Sequence, residues 1–171
     1  SARFADWVDA GLLRIASGSI RRVTVNNYSI DETVGRLLNA ETVVLTQQKD
    51  QWKLEGAEKF SVAPVKTLAA TLDGLKIADV RPKPPQMAED LKQGQVRLSF
   101  ETATALRQRG FFLAPNGRLL AKEGEVVVET ADGLVYSLRF GEVVTGAGEG
   151  KPAAARGENR YLWATVNFDA A

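Results

Sequence analysis

Three glutamates, Glu123, Glu125 and Glu129, stand close enough in sequence to suggest paired-carboxylate chemistry, in which one acid donates a proton and a second attacks or activates water. They fall on a stretch with strand alternation, which directs Glu125 and Glu129 toward a mixed polar face. A solvated surface is therefore expected rather than a converging acid pair. Between residues 146 and 159, GAGEGKPAAARGEN supplies Gly146, Gly148, Gly150 and Lys151, the residue types of a phosphate loop. That motif requires a Gly-Lys followed by Ser or Thr, so that a hydroxyl meets magnesium, and a strand-then-helix context. Pro152 occupies the hydroxyl position and the context is missing, so nucleotide binding is not expected. Asp31-Glu32 and Glu89-Asp90 do not make the oxygen-rich loop that calcium needs.

The chain contains neither cysteine nor histidine. Zinc sites built on those ligands, cysteine nucleophiles, Ser-His-Asp relays and histidine-ligated haem all lose a required group. No cofactor and no catalytic set is expected. Twenty-two basic and 21 acidic residues leave a net charge of +1, which supplies no global field for nucleic acid. Basic clusters at Arg21-Arg22, Arg81–Lys83 and Arg107–Arg109 lack the interleaved aromatics that stack bases. Trp7, Trp52, Trp163, Tyr136 and Tyr161 could line a ligand groove or cover a sheet. Tyr161 and Trp163 share one face of the last strand beside the 146–159 loop. With Lys151, Arg156 and Arg160 they are the candidate interaction residues.

The elements that must position these residues follow from turn chemistry and periodicity. In EVVVETADGLVYSLRF, residues 125–140, Gly133 closes a three-residue loop in the left-handed conformation. The resulting register sets Val128 opposite Tyr136, Val126 opposite Leu138 and Glu125 opposite Arg139, with the first two pairs on a core face. Residues 111–120 form a similar hairpin around Ala114–Gly117, pairing Leu113 with Leu119 and Phe112 with Leu120. Lys122–Gly124 is read as a direct turn, making 111–140 one continuous meander. A last strand covers 161–168.

In the first half, Phe4, Trp7, Val8 and Leu12 suggest a short amphipathic helix. Ile20, Val23 and Val25 lead a strand that is expected to turn at Asn26-Asn27, and residues 29–40 read as loop or a single helical turn. A hairpin joins 42–46 to 51–54, with Val44, Trp52 and Leu54 as core candidates. Its residue types echo the 127–138 hairpin, a hint of internal duplication. Pro64 opens the clearest helix, with Val65, Leu68, Ala69, Leu72 and Leu75 as its apolar stripe. Residues 86–92 suggest a short helix, and Ser99 caps another that runs to a stop at Gly110. The fold class is α+β, antiparallel meander sheets with packed helices, in a single domain over 1–171. Two β-rich halves, 1–80 and 86–171, would be joined by the Pro-rich connector 81–85. Such a chain, 44% hydrophobic and 25% charged, has enough apolar content for a core without disulfides.

RGFFLAPNGRLLAKEGEVVVETADGLVYSLRFGEVV, residues 109–144, with ENRYLWATVNFD, residues 158–169, resembles the C-terminal half of bacterial proteins in the domain of unknown function 4340 family. DWVDAGLLRI at 6–15, DQWKL at 50–54 and the helix running into LKIADVRPKP at 75–84 carry the similarity over most of the chain. The family has no established catalytic residues. The resemblance implies an exported or membrane-attached accessory protein, some relatives being encoded beside gliding-type transporter components. The chain has no initiator methionine, signal peptide or apolar run long enough to span a bilayer, and is expected to be a processed piece. The expectation is a non-enzymatic extracytoplasmic interaction or scaffold domain with an unknown protein partner. It would not bind nucleic acid or insert into a membrane by itself. The alternative is a small-ligand or glycan-binding module built on the aromatics near the last strand.

Overall fold

The computed structural model describes residues 9, 11–49, 51–57, 59–80, 99–144 and 159–169. In chain order these form β1 (Ile20–Asp31), β2 (Arg36–Gln48), β3 (Gln51–Leu54), α1 (Ala63–Asp73) and α2 (Phe100–Arg107). They continue as β4 (Phe111–Leu113), β5 (Leu119–Ala121), β6 (Glu125–Thr130), β7 (Leu134–Val143) and β8 (Arg160–Phe168). Six strands make one antiparallel sheet in the order β3-β2-β1-β6-β7-β8, while β4 and β5 form a separate pair. The sheet is thus two three-strand meanders joined by the antiparallel pairing of β1 with β6, where Val23 meets Val128 and Val25 meets Val126.

The β6–β7 register is the one that the turn chemistry predicts, with Val128 opposite Tyr136, Val126 opposite Leu138 and Glu125 opposite Arg139. Gly133 adopts φ +82°, and a Cβ there would sit 2.8 Å from the Asp169 carbonyl, so both backbone angle and space require glycine. Pairing in β4–β5 also agrees, with Phe112 opposite Leu120 and Leu113 opposite Leu119. The continuous meander does not form. After Ala121 the chain turns a corner, its Gly124 amide closing back on the Ala121 carbonyl, and β5 leaves the plane of the large sheet. A second constraint holds that corner in place. The Arg109 carbonyl accepts from the Glu142 amide at 2.9 Å, and a Cβ on Gly141 would lie 2.2 Å from that same carbonyl. Backbone crosses backbone there with no space for a side chain.

In the first half, β1 continues through Asn26-Asn27 instead of turning, with a register shift against β2 between Asn27 and Ser29. The Asn26 side chain finds partners on both neighbouring strands, donating to Glu125 at 3.2 Å and accepting from Thr42 at 2.9 Å. The turn comes later, at residues 32–35, so most of 29–40 is strand on either side of it. Pairing of β2 with β3 sets Leu45 opposite Leu54 and Gln47 opposite Trp52. Val43 and Leu45, not the expected Val44, face the helix-covered core, so the strand lies one residue out of phase with the expectation. The echo between hairpins does not extend to pairing: Val128 and Tyr136 are partners, whereas their counterparts Val44 and Trp52 are not.

One face of the sheet is covered by α1. Val65, Ala69 and Leu72 are buried in its stripe, with Leu68 and Leu75 partly so, as the periodicity predicts, and Pro64 occupies the first turn. They meet Ile15, Ile20, Val23, Leu45, Val128 and Leu138. Val128 and Leu138 are fully buried, each worth about 2 kcal/mol in burial alone. At one end, the opposite face is covered by α2 and the β4–β5 hairpin. Ser99 caps α2, its hydroxyl accepting from the Thr102 amide at 3.2 Å. The hairpin is buried on both sides: Phe111, Leu119 and Ala121 pack with Leu106 and Trp163, while Phe112 and Leu120 pack with Tyr28. The expected helix at 86–92, the connector 81–85 and most of the expected first helix, which would end before Ile15, lie outside the described residues. Where that first helix is described, residues 11–13 form a turn instead and Leu12 is exposed rather than packed.

Candidate functional site

Glu125 is the main correction to the expected solvated carboxylates. It is only 5% exposed. Strand alternation does direct it to the face opposite α1, but the β4–β5 hairpin closes over that part of the face. Its carboxylate, carried on β6, is met by groups from two other strands and the hairpin. Asn26 of β1 and Arg118 approach Oε1 at 3.2 and 3.3 Å, and Arg139 of β7 places Nε 2.6 Å from Oε2. Neither atom of that last contact has hydrogen-bond geometry, so it is a bare ion pair inside the protein. Beneath it the Tyr28 hydroxyl accepts from the Ala121 amide at 3.3 Å, and burial pushes the phenol pKa above its ordinary value. The cluster pins β1, β6, β7 and the hairpin to one another.

The other two glutamates face different arginines. Glu129 lies 3.6 Å from Arg22, and Glu123 lies 3.8 Å from Arg160. Each of the three carboxylates therefore has its own cationic neighbour. Asp31 uses its carboxylate to close its own turn, accepting from the Thr33 amide at 3.0 Å. Glu89-Asp90 lies outside the described residues. Among the described residues, no group of three or more acidic side chains could hold a metal ion.

An open groove of about 600 Å³ runs beside the end of α1, lined by Arg14, Ser17, Ala70, Asp73, Leu75 and Lys76 among others. Its carboxylate, Asp73, is held below the usual aspartate range by the Arg14 guanidinium at 2.6 Å and by the Ser17 amide. That arrangement ties the chain before β1 to α1. On the opposite side of the sheet, Lys122 and Glu142 pair at 2.9 Å, the lysine pKa moving up and the glutamate pKa down.

The candidate interaction residues divide. Lys151 and Arg156 lie outside the described residues, as does the 146–158 part of their loop. Tyr161 and Trp163 are brought together on the hairpin side of β8, while Arg160 has the alternate parity, that of Leu162 and Ala164. Trp163 is 8% exposed and packs edge-on against Phe111, with ring centroids 6.0 Å apart and planes at 66°. Tyr161 is half-buried beside it, with the Arg109 guanidinium 6.0 Å over its ring. Arg160 donates to the Gly141 carbonyl at 2.9 Å.

Sequence reasoning missed the exposure of Val166 at 47% and Phe168 at 69%, two apolar side chains at the far end of the same strand. The alternation of β8 is visible in the sequence, but its place at the margin of the sheet is not. Among the described residues, β8 pairs with β7 on one side and with nothing on the other. The chain matches no protein-family model, no curated protein and no solved structure.

Proposed function

We propose that this is a non-enzymatic extracytoplasmic interaction or scaffold domain, accessory to a membrane transport or gliding-type complex, and that it docks protein through the outer edge of β8. The observation that carries this reading is the state of that edge. Natural edge strands are blunted by lysine, proline, bulges or shortness, because unpaired N–H and C=O groups template further pairing. The other open margin, along the first part of β2, has such devices: Arg36 and Glu41 stand on it and Asn39 adopts φ +51° in an irregular register. At the end of that margin, β3 is only four residues long. β8 has nine residues, no lysine, no proline and a single charge at its first position. An extended segment added to it would gain main-chain hydrogen bonds and cover Val166 and Phe168.

The extracytoplasmic setting is supported by the resemblance to the domain of unknown function 4340 family. A ligand or glycan site would depend on Tyr161, since the Trp163 ring is already occupied by Phe111. Photo-cross-linking in the native cell envelope tests the docking edge. A cross-linking residue at Val166 is expected to capture one protein species, and one at the exposed Lys66 on α1 is not. Equal capture from both positions, or none from Val166, would sink the proposal.

A further inference from the structure

We infer that the occupant of the β8 edge is a second copy of this chain, paired antiparallel about a two-fold axis at Ala164, an assignment that rests on β8 being the docking edge. The backbone direction supports it. At one end of β8 the Asp169 amide donates to the Gly133 carbonyl at 2.9 Å, and at the other the Asn159 carbonyl accepts from the Val144 amide at 2.8 Å. Odd-numbered residues therefore turn their N–H and C=O toward β7. With the two-residue period of a strand, Arg160, Leu162, Ala164, Val166 and Phe168 turn theirs outward.

An antiparallel copy placed on that edge can pair Ala164 with itself across the axis, both partners using outward groups. Every other outward residue then finds an outward partner: Leu162 meets Val166 of the second copy, and Arg160 meets Phe168. Ala164, small and half-buried, stands where two identical side chains must be neighbours. The exposed Val166 and Phe168 come against Leu162 and the Arg160 stem, whose guanidinium is already held by Gly141. No like charges oppose each other, and Asn159 falls opposite the Asp169 carboxylate. Paired residues share a face, so both copies keep α1 on the same side and the sheet continues across the axis. The molecule already joins two three-strand meanders by an antiparallel pair, β1 with β6. Self-pairing at β8 repeats that joint between copies.

The chain has no cysteine, which gives a test that reads the register directly. In the paired geometry the two Ala164 Cα atoms lie about 5.5 Å apart, within disulfide reach. Oxidation of Ala164→Cys is expected to give a covalent dimer from folded protein, whereas Asn167→Cys, whose two copies would be far apart along the strand, is expected to stay monomeric. Sedimentation of the unmodified chain is expected to show a concentration-dependent dimer. Val166→Pro removes an outward N–H without touching the β7 ladder and should weaken that dimer roughly thirtyfold, from two lost hydrogen bonds. Val166→Lys should weaken it while leaving the fold, followed by circular dichroism, intact. A chain that remains monomeric to millimolar concentration, or that cross-links equally well from Asn167→Cys, overturns the second-copy assignment. If such a monomer still captures another protein from Val166 in the envelope, the docking edge stands and only its occupant is wrong. Capture of nothing removes both.

Discussion

Glu125 is the residue on which most of the second face depends. Its carboxylate balances Arg139, itself only 18% exposed, and receives Asn26 and the half-exposed Arg118. Deleting one member of a buried ion pair leaves the other charged and desolvated, which costs about 3 kcal/mol, whereas replacing both with apolar residues is often neutral. Glu125→Ala is therefore expected to lower unfolding free energy by about that much in urea titration. The Glu125→Leu/Arg139→Leu double variant should recover most of the loss; a double variant as unstable as the single would show that the pair is not coupled. Asp73 makes a different residue-scale prediction. Its pKa is lowered in the folded protein, so its contribution is present above the ordinary aspartate range and lost as pH falls through the folded value. Asp73→Asn should lower the neutral plateau of the thermal-midpoint profile only slightly, because the pair is at the surface, and should converge with the parent at acid pH, so that the acid limb is flatter.

The helices differ in what they contribute as elements. α1 is a core layer, and Leu72, at 2% exposure, is the last and least exposed of its buried residues. Leu72→Ala should cost about 3 kcal/mol, the transfer of the lost side chain plus the cavity left behind. α2 buries only Leu106 and starts at an exposed cap, so Ser99→Ala should cost about 1 kcal/mol. Comparing the two by chemical denaturation checks whether α1 is structural to the whole sheet and α2 peripheral. These elements were also the legible ones in sequence. Gly133, Pro64 and Ser99 act through backbone geometry within a few residues of themselves, so hairpin register, helix start and cap could be read locally. Asn26 could not be read that way. Its preference for turns is overruled by Thr42 and Glu125, partners that sequence order places far from it. The phase of β2 slipped for a related reason, since Val43, Val44 and Leu45 are equally apolar and only the position of α1 distinguishes their faces. Burial of Glu125 and exposure of Val166 were hidden for one cause: both are decided by which strands lie at a margin and what folds over a face.

At the scale of the molecule, the six strands are divided between the two stretches that the Pro-rich connector separates, yet they form one sheet. The joint lies at the centre, where Val23 is 1% exposed and Val128 is fully buried. Residues 1–80 and 99–171 expressed apart should each fail to show dispersed amide resonances, since each would expose β1 or β6 and half of the core under α1. Mixing them should restore a folded spectrum; independent folding of either would establish two domains. The β1–β6 joint also sets the order of assembly. Asn26 and Glu125, which pair there, are 99 residues apart in sequence, whereas each flanking meander is built from neighbours in the chain. Closing so long a loop is entropically unfavourable until its contacts form, so hairpins close in microseconds and the joint follows later. During synthesis, the first meander leaves the ribosome with β1 bare and must wait for β6 to be made. A strand that accepts partners readily is thus exposed early in every molecule, and the joint doubles as the step at which a nascent chain is most open to mispairing.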